Sequence, residues 1–313
     1  MTILLTMTGI DAEPWQQQLE ALNLNHGFLI WPSDEPLDSV KYALAWNSPH
    51  GVLARCPNLE VVFSLGAGVD HLISDPDLPD VPIVRIVDPN LTMRMTEYVV
   101  FHVLLHHRRF HDYDRAQKAR KWEVLYQPGA NEVRVGVMGM GALGSDSACR
   151  LRDLGFQVAG WSNSPKNFPG IESFAGADQL MPFLNRTDIL VVLLPHTPET
   201  EGILNKKLFA ALAQDGVGQG PVLINAGRGK LQIDNDILAA LDENILYAAS
   251  LDVFEHEPLP VDSALWGHER VTVTPHIASE SDNRALTKYI AEQIRRHEAG
   301  LALENVIDNT KGY

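Results

Sequence analysis

Two cysteines in 313 residues, Cys56 and Cys149, are too few for a disulfide framework, and their spacing fits no metal-binding pattern. No apolar run approaches the roughly 18 residues of a membrane-spanning helix. Basic residues are also scarce: 25 Lys and Arg stand against 40 Asp and Glu, a formal net charge of −15. That balance disfavours nucleic acid and anionic membranes as partners. Any anionic ligand must therefore be held by locally placed cations and amides. The P-loop lysine and the Gly-x-Ser-x-Gly elbow are both missing, which leaves kinase and hydrolase chemistry without a foothold. The opening Met1–Thr8 has neither a basic region nor a small-residue cleavage site. It is expected to form a first strand, and the expected address is the cytoplasm.

What is present is the composition of an ordinary globular enzyme, 45% hydrophobic and 21% charged, at a length that suits two domains. The most informative stretch is Arg134–Gly144, in which Gly139, Gly141 and Gly144 take the G-x-G-x-x-G spacing. The context is that of a dinucleotide-binding turn: Val135–Met138 reads as a short strand and Ala142–Leu154 as the helix after it. The first glycine permits a tight turn, the second lets backbone approach a pyrophosphate, and the third lets helix pack against strand. The helix start at Ala142 and Leu143 would aim its amides at the phosphates.

Strand-like and helix-like stretches alternate on both sides of this turn. In the first segment Thr2–Thr6, Tyr42–Trp46, Leu59–Leu65 and Pro82–Ile86 read as strands, Glu13–Leu22 as a helix and Asp75–Pro82 as a loop. A long helix is expected over Thr92–Lys118. In the second segment Val133–Met138, Gln157–Trp161, Asp188–Leu194, Pro221–Asn225, Tyr247–Val253 and Val271–Thr274 read as strands, enough for a doubly wound sheet. The amphipathic tail Glu280–Gly300 packs back on the first segment in this scheme. The expected fold class is α/β with two doubly wound parallel-sheet domains, a Rossmann cofactor domain inserted into a flavodoxin-like substrate domain. The expected boundaries are 1–97 with 281–313 for the substrate domain and 98–280 for the dinucleotide domain.

Three clusters carry chemistry, each directly after a strand: Ile224-Asn-Ala-Gly-Arg-Gly229, Leu251-Asp-Val-Phe-Glu-His-Glu-Pro-Leu-Pro260 and Val271-Thr-Val-Thr-Pro-His-Ile-Ala278. In an open parallel sheet ligands sit beyond the carboxyl ends of the strands, so Arg228, Glu257 and His276 converge on the edge that holds the nucleotide. Reduction of a 2-oxo acid beside a nicotinamide needs these three groups. Arg228 can pair with a substrate carboxylate by a planar fork. His276, as imidazolium, can protonate the carbonyl oxygen, and Glu257 can orient that ring. Trp46, at a strand end in the first segment, serves either a substrate pocket or the core. His102, His106, His107 and His111 lie at helical spacing but lack the acidic partner of a zinc motif, and are expected in packing or at a subunit interface. Val99, Val100, Val103, Leu104 and Leu105 give the same helix a large apolar surface, which predicts a homodimer, the alternative being burial between the two domains of one chain.

The cofactor expected is NADPH, with NADH possible. NAD-selective turns of this kind place an acid about 20 residues after the glycines. Here that strand ends Ser162-Asn163-Ser164-Pro165-Lys166, with no carboxylate. The hydroxyls, the amide and the lysine can donate to a 2′-phosphate.

The glycine turn, Asn225-Ala-Gly-Arg228-Gly, Leu251–Pro258 and Thr274-Pro-His276 together resemble the signatures of the D-2-hydroxyacid dehydrogenase family. Ser64-Leu-Gly-Ala-Gly-Val-Asp70, Gly160–Lys166, Leu194-Pro-His-Thr-Pro-Glu-Thr200 and the ending Lys311-Gly-Tyr313 are similar to its glyoxylate/hydroxypyruvate reductase A branch. The resemblance spans nearly the whole chain. It implies that Arg228, Glu257 and His276 are the catalytic trio and that Asp252 contacts the nicotinamide carboxamide. It implies further that Pro195 and Ala226 line the cofactor and that Leu65, Gly66, Ala67 and Gly68 bind the substrate carboxylate through their amides, as a glycine-rich turn can. In this family the helix carrying the histidines lies at the dimer interface. Two positions depart from the pattern: Asn163, where the branch often carries arginine, and polar Ser145-Asp-Ser147 in the first helix turns. The expected activity is reduction of glyoxylate and hydroxypyruvate. The alternatives are a dehydrogenase of another D-2-hydroxy acid, of D-lactate type, or a nucleotide-sensing binding protein on the same fold.

Overall fold

The computed structural model describes residues 1–66, 68–85, 89–279 and 283–307. The chain divides into two compact units, Met1–Leu91 with Ser281–Tyr313, and Thr92–Glu280.

The first unit begins β1 (Thr2–Met7), α1 (Glu13–Ala21), β2 (Gly27–Ile30), β3 (Val40–Trp46), β4 (Val61–Ser64), α2 (Asp70–Ile73) and β5 (Ile83–Arg85). Its strands are parallel in the order β2-β1-β3-β4-β5, the flavodoxin-like order. Central strands such as β4, Val-Val-Phe-Ser, are buried at every position, as a parallel sheet covered on both faces requires.

The second unit carries α3 (Pro89–His107), α4 (Phe110–Lys118), β6 (Arg134–Met138), α5 (Ala142–Asp153), β7 (Gln157–Ser162), β8 (Glu172–Ala175), α6 (Leu180–Asn185), β9 (Ile189–Val192), α7 (Lys206–Ala210), β10 (Val222–Asn225), α8 (Asp234–Asp242), β11 (Ala248–Leu251) and β12 (Val271–Val273). Its sheet is wholly parallel in the order β12-β11-β10-β9-β6-β7-β8, the Rossmann order extended by one strand. The chain then returns to the first unit as α9 (Asn283–Glu298), whose Leu286, Ile290, Ala291 and Ile294 pack with Ile3, Leu5 and Phe63. Among the described residues no helix is long and apolar enough to cross a membrane.

The structure differs from the expectations at three places. The long helix is broken: Arg109 takes a left-handed conformation, φ 58°, and separates α3 from α4. Strands β2 and β8 give no clear signal because they are short edge strands, and β8, Glu-Ser-Phe-Ala, is nowhere fully buried. Four of the five apolar positions expected at an interface face inward: Val99 and Val103 are fully buried in the second unit's own core, with Val100 and Leu104 packed against it.

Three of the four histidines of α3 and α4, His102, His106 and His111, lie in a polar row against β11 and β12, whereas the His107 ring stands edge-on to Phe156. His102 Nδ1 and His106 Nε2 lie 2.9 and 2.8 Å from the Ser250 hydroxyl on β11, and His111 Nε2 lies 3.0 Å from Thr272 Oγ1 on β12. One hydroxyl proton serves one imidazole, so Ser250 donates to one ring and accepts from the other. Burial keeps both rings neutral near pH 7. Burial, then the charge of His111, pushes His102 down to about 4; burial, then His111 and His102, pushes His106 down to about 3. Among the described residues no group of His, Cys, Asp and Glu is placed to hold a metal.

Because the unfolded chain takes up these protons near the ordinary histidine value of 6.5, the stability they allow is complete above pH 6.5. It is lost as the pH falls from there towards the folded values, at up to about 1.4 kcal/mol per histidine and pH unit. Denaturant unfolding between pH 6.5 and 5 should thus show a steeper loss in the native protein than in His106→Gln. Equal slopes would refute the buried neutral pair.

Candidate active site

Strand β6 delivers the glycine turn at the point where the strand order reverses, between β6 and β9. The Gly139 amide donates to the Trp161 carbonyl at 2.9 Å and the residue turns at φ 104°. A Cβ on Gly144 would collide with the Gly139 carbonyl oxygen, so only glycine lets α5 start this close to the strand. At Gly141 a Cβ would meet open space. No side chain caps the amino end of α5, where Ala142 and Leu143 present their amides. Open space beside uncapped amides fits a dinucleotide pyrophosphate. Asp146, which would repel such a group, is turned aside: its Oδ2 accepts from Thr96 Oγ1 at 2.7 Å.

After β7, Asn163, Ser164 and Lys166 are exposed and Ser162 is half-buried. The loop is shaped by Ser162 Oγ donating to the Ser164 carbonyl at 2.8 Å, and by the Lys166 amide donating to Ser173 Oγ at 3.3 Å. Beyond β9 and β10 lie exposed Pro195, whose carbonyl accepts from Thr200 Oγ1, and buried Ala226, whose amide donates to the Val192 carbonyl.

The Arg228 loop is organised by a residue to which the sequence reading gave no role. Asn225, fully buried at the end of β10, accepts from the Gly227 amide at 3.1 Å and donates to the Arg228 carbonyl at 3.2 Å and to Gln232 Oε1 at 2.8 Å. An Asn two residues before a glycine is the spacing of an Asx turn, and that signal is legible in the sequence. Arg228 itself is half-buried.

Asp252, directly after β11, is fully buried and ties down the turn after β12. Its Oδ1 accepts from Thr274 Oγ1 at 2.6 Å and from the Ile277 amide at 3.0 Å, and its Oδ2 from the Ala278 amide at 2.8 Å. The His276 amide donates to the Asp252 carbonyl at 2.8 Å, and His276 adopts φ 54°. Thr274 Oγ1 also lies 2.8 Å from the phenol of Tyr98 on α3, a residue 176 positions away that no local pattern points to.

His276 and Glu257 meet: Nδ1 lies 2.7 Å from Oε2, with the imidazole side chain 40% exposed. The other carboxylate oxygen accepts from the Phe254 amide at 2.9 Å. Burial works to raise the Glu257 carboxyl, but the His276 bond, the Phe254 amide and the charges of His276 and Arg228 outweigh it and bring it below the ordinary carboxylate value. An ionised Glu257 fixes an Nδ1–H tautomer and leaves Nε2 to exchange protons. Arg228, Glu257 and His276 therefore share one electrostatic site in the second unit.

In the first unit the turn after β4 is compact. The Leu65 amide already donates to the Ala45 carbonyl at 3.1 Å, so it has no role towards an anion. The Ser64 hydroxyl lies within 3.4 Å of the Gly66 amide and 3.2 Å of the Gly68 carbonyl. Ala67 and Lys311–Tyr313 lie outside the described residues. Trp46 is half-buried, its ring 5.1 Å from that of His71 and so close over Gly66 that a Cβ there would strike it.

Residues 100–278 match the family model of the D-isomer specific 2-hydroxyacid dehydrogenase NAD binding domain. The chain is 40% identical to glyoxylate/hydroxypyruvate reductase A of Serratia proteamaculans over 321 residues, covering all of both. It is 45% identical to the NADPH-dependent glyoxylate/hydroxypyruvate reductase of Sinorhizobium meliloti, solved with NADP and sulfate, covering 100% of this chain and 99% of that one with a TM-score of 0.95. A probable 2-hydroxyacid dehydrogenase of Rhizobium etli, solved with NADP, HEPES and L(+)-tartaric acid, matches at 45% identity over the same shares with a TM-score of 0.93. With a family model over more than half of its length and relatives of this identity over all of it, the chain belongs to the D-isomer specific 2-hydroxyacid dehydrogenases.

Proposed function

We propose that the protein is an NADPH-dependent reductase of small 2-oxo acids, converting glyoxylate to glycolate and hydroxypyruvate to D-glycerate. The observation that carries this reading is the His276–Glu257 pair at 2.7 Å, beside Arg228, at the carboxyl edge of a Rossmann-ordered sheet. The activities named for the Serratia and Sinorhizobium relatives support the choice of substrate.

In this reading the Thr92–Glu280 unit is the cofactor domain and the other unit the substrate domain. When bound, the reduced nicotinamide supplies the hydride. The Gly139–Gly144 turn would seat its pyrophosphate, with backbone at Gly141 approaching it and the amides of Ala142 and Leu143 as donors, and Pro195, Ala226 and Asp252 would line the cofactor. Arg228 takes the substrate carboxylate through two parallel donors and polarises the carbonyl. Gly68 and Trp46 are the first unit's candidates for contact with the substrate. The proton on His276 Nε2 goes to the carbonyl oxygen, and the Glu257 carboxylate holds the imidazolium by its Nδ1–H. His276→Ala should lower turnover with glyoxylate by roughly 10²–10⁴-fold, the usual worth of a positioned acid, while the KM for cofactor changes little. Near-native turnover would remove His276 from this role.

The preference for NADPH rests on the exposed Ser162–Lys166 loop, which offers hydroxyls, an amide and an ammonium but no carboxylate to repel a 2′-phosphate. Comparing kcat/KM for NADPH and NADH should show NADPH ahead in the native enzyme, with the ratio reduced in Lys166→Ala by roughly tenfold, the worth of one charge-assisted hydrogen bond. Equal values for the two cofactors in the native enzyme would overturn the preference, and an unchanged ratio in the variant would remove Lys166 from the site.

We propose also that the protein is a cytoplasmic homodimer. The inward-facing valines of α3 no longer support the dimer, but Phe101 (59% exposed), Phe110, Trp122 (100%), Val124 and Tyr126 form a run of exposed large apolar side chains on and after the same helix pair. Sedimentation at micromolar concentration should give twice the 34.7 kDa chain mass, shifting to the single chain in Trp122→Asp/Val124→Asp. A native protein sedimenting as one chain would reject the dimer.

A further inference from the structure

We infer that Tyr98 is a positioning residue for His276, acting through the hydroxyl of Thr274 and the carboxylate of Asp252. This rests on the reading of His276 as the proton donor. The direction of the chain follows from donor accounting. Both oxygens of Asp252 already receive backbone N–H groups, Ile277 on Oδ1 and Ala278 on Oδ2, so the carboxylate acts as an acceptor. Thr274 Oγ1, 2.6 Å from Oδ1, has a single proton and donates it there. The Tyr98 phenol, 2.8 Å from the same oxygen, must then be the donor to Thr274. Burial pushes that phenol well above its ordinary value, with the Thr274 bond opposing, so it keeps its proton across the working range.

The chain ends where precision is needed. Asp252 grips the residues immediately after His276 with its side chain and His276 itself with its carbonyl, which holds a non-glycine residue at φ 54°. Left unheld, that conformation relaxes towards the ordinary regions and takes the imidazole away from Glu257. Tyr98 is itself fixed: its ring lies 4.1 Å from that of His102, whose Nδ1 bonds Ser250, two residues ahead of Asp252. Helix α3 thus buttresses the turn that carries His276 through the Tyr98–Thr274 hydroxyl pair.

The test combines kinetics with amide hydrogen exchange on the whole enzyme. Tyr98→Phe should lower kcat with glyoxylate and NADPH roughly three- to tenfold, the range of one ordinary hydrogen bond, with the glyoxylate KM held within about twofold. Thr274→Val should lose at least as much and Thr274→Ser should keep near-native rates, because it keeps the hydroxyl. Adding Tyr98→Phe to Thr274→Val should cost nothing more, since the phenol acts only through that hydroxyl. Exchange at the Ile277 and Ala278 amides should be faster in Tyr98→Phe and in Thr274→Val than in the native enzyme. Effects on kcat that multiply in the double variant, or native exchange rates in Tyr98→Phe, would overturn the relay. Should Thr274→Val fail to fold, the exchange rates of Tyr98→Phe decide alone. Failure of the native enzyme to turn over glyoxylate would instead sink the functional reading, and exchange would still decide the relay.

Discussion

The buried carboxylate of Asp252 is the constraint on which the functional half of the molecule depends. A charge with no solvent exposure persists only where its lone pairs are met, and Asp252 meets them with Thr274, Ile277 and Ala278. Those three donors belong to the turn after β12, so satisfying the carboxylate fixes the path of the chain through His276. The left-handed φ of His276 costs about 1–2 kcal/mol for a residue with a Cβ. Charge-assisted hydrogen bonds, each contributing about 1.5–3 kcal/mol, outweigh it. Glu257 hangs from the same strand end through the Phe254 amide, and the two halves of the dyad share one anchor.

A parallel sheet makes this convergence possible. Every strand of the second unit points the same way, so the turns after β6, β7, β10, β11 and β12 emerge on one edge. The glycine turn, the Ser162–Lys166 loop, Arg228, Asp252 and His276 come from sequence positions up to about 140 residues apart, yet topology alone brings them to that edge. It also answers the problem posed by an acidic chain. With a net charge of −15 the protein as a whole repels anions, and binding one calls for uncapped helix amides and single well-placed cations.

How legible this was in the sequence depends on the range of the interaction. The glycine turn and the main strands could be read because each is encoded locally, by apolar runs and the spacing after them. Strands β2 and β8 could not, since edge strands need little apolar character. The break at Arg109 has no proline or glycine to announce it. The valines of α3 were legible as apolar, but sequence alone does not say which surface covers them, and their own sheet does. The amide of Leu65 belongs to the sheet through Ala45, a pairing partner 20 positions away that no motif specifies. Tyr98 illustrates the limit: its role exists only because Thr274 lies against it in space.

The polar face of α3 and α4 raises a last question, why a helix packed on a core sheet should carry tyrosine and histidines there at all. An apolar face would bury as well and avoid desolvating imidazoles, whose charged form is pushed to low pH here. An apolar face also slides: its contacts are non-directional, and a shift along the axis trades one methyl contact for another. Tyr98 on Thr274, His102 and His106 on Ser250 and His111 on Thr272 do not slide, because a shift of one helical turn, about 5.4 Å, breaks all four bonds and leaves buried hydroxyls unpaired. The row therefore sets the axial register of the helix pair against β11 and β12. Those two strands lead into Asp252 and His276, and the geometry of the dyad inherits its precision from the helix pair.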